Sequence, residues 1–124
     1  MQEKSLEAAV REYLEAFNSR DLSRCLEFFA EDARLDFAMG VYRGAKAIGE
    51  WHTKRFEADL RVDRVERVRS DGDTVTVDAI ATSKVAKAWK FPSVAGVVTF
   101  VFDQGKIKHG KFRLRTAIPV EGWS

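Results

Sequence analysis

The chain has 124 residues, with 21 Lys and Arg against 19 Asp and Glu, for a formal net charge of +2. That length suits one domain spanning residues 1–124, and 45% hydrophobic residues, nine Phe and three Trp among them, can fill a core, which excludes a disordered chain. No apolar run approaches the roughly 18 residues of a membrane-spanning helix, and Met1-Gln2-Glu3-Lys4-Ser5 lacks a signal-peptide pattern, so a cytoplasmic protein with no membrane partner is expected.

Leu6, Val10, Tyr13, Leu14 and Phe17 recur at spacings of three and four and predict a first helix. Asn18-Ser19-Arg20 interrupts it, and Asp21 caps a second helix with Leu22, Cys25, Leu26 and Phe29 on one stripe. Cys25 reads as a small core residue; a lone Cys excludes an internal disulfide, and two His leave too few ligands for a zinc site, so no metal or cofactor is expected. After Glu31-Asp32, Ala33 to Met39 alternates as a short strand, with Leu35, Phe37 and Met39 on one face and Arg34 and Asp36 on the other. Gly40 to Gly44 reads as a turn, and Ala45 to Ala58 as a third helix carrying Ile48, Trp51, His52, Arg55 and Phe56.

From Val62 onward the pattern is that of strands. Val62, Val65 and Val68 stand three apart, which fits neither helix nor strand period and predicts a bulge. Asp71-Gly72-Asp73 signals a hairpin turn, after which Val75, Val77, Ala79 and Ala81 alternate with Thr74, Thr76 and Asp78. Lys84 to Pro92 holds Trp89 and Phe91 at a hairpin end. Val97 to Phe102 is apolar on both faces except at Thr99, as in a strand covered on both sides. Asp103-Gln104-Gly105 turns the chain, and the last strand alternates Gly110, Phe112 and Leu114 with His109, Lys111, Arg113 and Arg115. Three helices followed by hairpins predict an α+β fold with a mostly antiparallel sheet packed on the helices.

Five stretches in this order, Tyr13-Leu14-Glu15-Ala16-Phe17-Asn18, Asp21-Leu22, Phe29-Ala30-Glu31-Asp32-Ala33, Gly44 with Ile48, and Phe102-Asp103-Gln104-Gly105-Lys106-Ile107, resemble the SnoaL-like, ketosteroid-isomerase-like branch of the nuclear transport factor 2-like superfamily. The resemblance implies a cone: a curved sheet wrapped around three N-terminal helices, with one deep pocket and often a homodimer. The superfamily holds isomerases, epoxide hydrolases, polyketide cyclases, dehydratases and non-catalytic adaptors, so the site must decide the function. Isomerases of this fold use a carboxylate base at the end of the first strand and a protonated acid beside a Tyr. The resemblance places those positions at Phe37 and Val98, and only Tyr13 matches. Asp36 is one residue from the base position, which in a strand turns it to the opposite face. The epoxide hydrolase Asp-Arg-Asp set falls on Ala79, Ala81 and Phe112, and the late acid of cyclases falls in the region of Arg113 and Arg115.

What remains is an apolar small-molecule pocket on one face of the strands, lined by Phe37, Met39, Ala79, Ala81, Val98, Phe112 and Leu114, with Phe17, Trp51 and Phe56 from the helices. The same aromatics could instead pack a solid core. His52 is the only residue placed near this pocket that titrates near neutrality, so His52 with Tyr13 forms the candidate proton-transfer pair, although no carboxylate is visible to orient the ring. Charge is uneven: residues 1–62 carry 10 basic and 12 acidic groups, residues 63–124 carry 11 and 7. The basic face of the last strand suits a homodimer through the outer sheet face, against the acidic helices of a second copy, better than nucleic acid, since no base-stacking motif accompanies it. A binder of hydrophobic small molecules, an enzyme acting through His52 and Tyr13, and a non-catalytic scaffold are thus the competing readings.

Overall fold

The structure, a computed structural model, describes residues 5–37, 40–83 and 94–114. Met39, Arg115 and the expected hairpin end with Lys84, Lys87, Trp89, Lys90 and Phe91 lie outside them.

Helix α1 spans Leu6–Asn18, α2 Leu22–Glu27 and α3 Gly44–Glu57. Strands β1 (Phe29–Phe37), β2 (Gly40–Arg43), β3 (Arg61–Asp71), β4 (Thr74–Thr82), β5 (Val94–Asp103) and β6 (Lys106–Leu114) form one sheet in the order β2-β1-β6-β5-β4-β3. Among the described residues only the β1–β6 pair is parallel. The sheet is open at both ends and backs onto the helices, an α+β cone.

The helix boundaries follow local chemistry. Ser5 Oγ accepts from the Ala8 amide at 3.1 Å, answering one of the amides that the first turn of α1 leaves unpaired. At the other end Arg20 takes a left-handed conformation (φ 58°), and the Asp21 amide reaches back to the Ala16 carbonyl at 3.0 Å; Asp21 then caps α2 through the Arg24 amide. Asn18, the last residue of α1, makes two 2.9 Å bonds to the backbone of Val62, pinning the start of β3 to the helix.

Three features differ from the sequence expectation. Phe29 belongs to β1 and not to the α2 stripe, because the Phe28 carbonyl accepts from the Ile107 amide at 2.7 Å and draws the chain into the sheet. Glu31 and Asp32 therefore lie within a strand, where a register shift between Phe29 and Arg34 absorbs them. Gly40–Arg43 is an edge strand, β2, paired with Arg34 to Phe37, and not a turn.

The expected bulge in β3 is two bulges. Register shifts fall between Val62 and Arg64 and between Val65 and Arg67, so Val62, Val65 and Val68 pair in turn with Ala81, Ala79 and Val77. Each extra residue converts a spacing of three into a spacing of two on the partner, which keeps all three valines on the concave face and bends the strand. The turns expected at Asp71-Gly72-Asp73 and Asp103-Gln104-Gly105 form; Gly72 has φ 61°, and Gln104 and Gly105 have φ 54° and 82°, the left-handed pair that suits a two-residue hairpin.

The core lies between the concave face and the helices. Val10, Tyr13, Ala16, Leu35, Ile48, Val75, Phe100 and Ile107 are wholly buried. Asp36 lies on the convex face, bonded to Arg34 Nε at 2.8 Å and to His109 Nε2 at 3.1 Å, while its neighbours Leu35 and Phe37 face the helices. In the middle of the sheet the convex side is only partly covered: Val97 is buried, while Thr99 and Val101 are half-buried.

Candidate functional site

Tyr13 leaves α1 and His52 leaves α3 toward each other across the cone, and both are wholly buried. The Tyr13 hydroxyl lies 2.7 Å from His52 Nε2, and His52 Nδ1 lies 2.8 Å from the Ile48 carbonyl one turn back on α3. A carbonyl can only accept, so Nδ1 carries the proton, Nε2 is bare, and Tyr13 donates to it. Phe17, Phe29, Trp51 and Phe56 surround the imidazole, with ring centroids 4.9 to 6.1 Å away. Burial in this shell pushes the His52 pKa down from 6.5 to about 4, against the smaller opposing effect of the Ile48 bond. The same burial raises the Tyr13 hydroxyl well above its usual 10, and the Cys25 thiol is pushed up to about 12. At neutral pH the pair is an uncharged, saturated hydrogen-bond chain, and Cys25 is a thiol without nucleophilic character.

The other residues singled out from the sequence fall into two groups. Phe17, Phe37, Trp51, Phe56 and Phe112 form a continuous aromatic cluster with Tyr13 and His52: Trp51 lies 5.3 Å from Phe37 and 5.0 Å from Phe112, and Phe17 lies 5.3 Å from Phe56. Val98 pairs with Phe112 on the neighbouring strand and extends this face. Ala79 and Ala81 stand on the β3 side of the sheet, opposite Val65 and Val62. Leu114 ends β6 opposite Gly96. Phe100, expected on this face from the strand alternation, and Phe28 and Phe29, which sequence reasoning did not place here, enclose Tyr13 edge-on at 5.6, 5.9 and 5.5 Å. Phe29 was hidden by its apparent helical spacing.

Cover over the concave face is graded. Leu35, Val75, Val77 and Phe100 are buried, whereas Phe37, Ala81, Val98 and Phe112 are half-buried, so apolar surface stays open at one end of the sheet. Trp51 stands at that end, 1% exposed, and its indole Nε1 has no hydrogen-bond partner among the described residues. An unmet buried donor costs about 1–3 kcal/mol. The Arg55 guanidinium, one turn along α3, lies within cation–π distance of Phe37 and Trp51. Two open grooves, one between α1, α2 and the β5–β6 turn and one between α2 and α3, lie on other surfaces. Among the described residues no three His, Cys, Asp or Glu side chains gather as metal ligands, and no helix is long and apolar enough to cross a membrane.

Residues 10–110 match the SnoaL-like domain. The chain belongs to the SnoaL-like family. No curated protein matches it. Among solved structures, this SnoaL-like chain is similar to a candidate polyketide cyclase from Sinorhizobium meliloti, at 23% identity over 84% of this chain and 92% of that one, TM-score 0.73. It is also similar to a nuclear transport factor 2-like protein of unknown function from Cytophaga hutchinsonii, at 13% identity over 99% and 98%, TM-score 0.77. A third likeness is to SalBIII, an epoxide hydrolase/cyclase-like enzyme in pyran ring formation in the polyether salinomycin, at 21% identity over 85% and 86%, TM-score 0.73. At these identities the likeness is one of fold.

Proposed function

We propose that this SnoaL-like protein binds an apolar small molecule at the open end of its concave face, and that Tyr13 and His52 hold the floor of that site without transferring protons. The observation that carries this reading is the half-burial of Phe37, Val98 and Phe112 on the same face where Leu35 and Phe100 are sealed. Apolar side chains gathered on a concave surface are the usual form of a small-molecule site. Against catalysis by the pair stands its hydrogen bonding: both nitrogens of His52 are engaged inside the protein. A base with a pKa of about 4 is a poor proton acceptor at neutral pH.

Calorimetric titration with N-phenyl-1-naphthylamine, a neutral apolar probe, tests the reading. Saturable binding is expected, weakened at least tenfold in Phe112→Asp at an unchanged fold by circular dichroism. Absence of saturable binding to the wild type overturns it.

We further infer a homodimer through the convex face, where Ala95, Thr99 and Val101 of β5 lie half-buried beside Lys111 and Arg113 of β6. A buried free Cys25 suits a reducing compartment, in keeping with a cytoplasmic protein.

A further inference from the structure

Trp51 and Arg55 stand four residues apart on α3, so their side chains leave the helix on the same face. The Arg55 guanidinium carbon lies 4.7 Å from the ring centroid of Phe37 and 5.4 Å from that of Trp51. The ion carries five N–H donors, more than two ring contacts can occupy, so some of them stay available to an acceptor. Arg20, Arg34, Arg61, Arg64 and Arg69 each meet an Asp or Glu; among the described residues Arg55 meets none. Beside it, the Trp51 indole N–H is buried and has no hydrogen-bond partner among the described residues. Two unmet donors, one of them a half-buried cation, therefore adjoin the half-buried Phe37 and Phe112.

A purely apolar occupant would leave both donors unmet. An oxyanion answers both, because the guanidinium edge matches two coplanar oxygens and the indole can donate to a remaining lone pair. A single Arg neutralises a single negative charge, which favours a carboxylate over a phosphate dianion in apolar surroundings. We propose that Arg55 and Trp51 Nε1 form an anion-recognition corner, and that the ligand is an apolar small molecule bearing a carboxylate. This rests on the apolar site proposed above and adds the chemical class of its occupant.

Calorimetry with 2-naphthoate and 2-naphthalenemethanol, two probes of nearly equal size, separates the two claims. The wild type is expected to bind the carboxylate at least tenfold more tightly than the alcohol. Arg55→Gln is expected to erase that preference while leaving the alcohol's affinity within about twofold, and Trp51→Phe to reduce the preference severalfold. Arg55→Lys, which keeps the charge without the planar fork, is expected to fall between wild type and Arg55→Gln. Equal affinities in the wild type, or an equal loss for both probes in Arg55→Gln, overturn the anion corner and leave the apolar site standing. Failure of both probes to bind the wild type overturns both.

Discussion

The Tyr13 hydroxyl donates across 2.7 Å to His52 Nε2 while Nδ1 of the same ring donates to the Ile48 carbonyl, so α1 and α3 are joined through one imidazole with no exposed atom. Removing one member leaves its partner buried without a bond. Tyr13→Phe is therefore expected to cost about 1–3 kcal/mol in urea unfolding. In the double variant with His52→Leu, the additional loss from removing Tyr13's hydroxyl is expected to shrink, because no bare nitrogen remains. Additive losses would show that the bond is energetically silent.

Burial keeps His52 neutral when folded, with its pKa lowered from 6.5 to about 4. Between those values the unfolded chain binds a proton that the folded chain refuses, so stability falls as pH drops through that window and is complete above it. The integrated loss is on the order of 3 kcal/mol. Guanidinium melts at pH 7.5 and 4.5 are expected to show it in the wild type and to show a much smaller pH effect in His52→Gln. An identical pH dependence in both would refute the assignment.

On the convex face, the hydrogen bonds from Arg34 and, with smaller effect, His109 outweigh partial desolvation and hold the Asp36 carboxyl below its usual range. A lowered folded pKa adds stability above the unfolded value of about 3.9 and loses it as pH falls through the folded value. Asp36→Asn is expected to reduce stability at pH 7 by less than about 1 kcal/mol, since the cluster is partly solvated, with the difference closing below pH 3. Denaturant midpoints across pH 2–7 measure this.

If the convex face joins two copies, Val101→Arg together with Thr99→Arg places four extra cations across an isologous contact. Light scattering is expected to show a dimer for the wild type and a monomer for the variant at the same concentration. A monomeric wild type contradicts the dimer.

Two glycines separate space from conformation. A Cβ on Gly110 would meet Phe100 and Phe112 at 3.8 to 3.9 Å, ordinary contact, so Gly110→Ala is expected to be neutral or stabilising by up to about 1 kcal/mol. Gly105 has open space but φ 82°, and Gly105→Ala is expected to destabilise by roughly 1 kcal/mol. Thermal melts of the pair decide whether backbone strain or volume dominates.

Local pattern located the helices, the turns at Gly72 and Gly105 and the alternation that sends Asp36 to one face and Phe37 to the other, because these depend on local geometry. The triple spacing of Val62, Val65 and Val68 even announced the β3 bulges. Local pattern misassigned Phe29, whose apolar spacing extends α2, because a hydrogen bond from Ile107, far along the chain, sets where that helix stops. It also left the roles of His52 and Arg55 open, since neither spacing nor residue type reveals what lies opposite.

The sequence by itself determined the α+β architecture and the apolar face that the alternating strands turn toward the helices, both consequences of period and side-chain type. Only the tertiary structure decided what those residues do. It set Tyr13 against His52 in a sealed hydrogen-bonded pair and, among the described residues, left the Trp51 N–H without an acceptor and the Arg55 guanidinium without a carboxylate beside half-buried aromatic rings. A polar group's chemistry depends on its burial and its partner, and both arise only when distant segments pack.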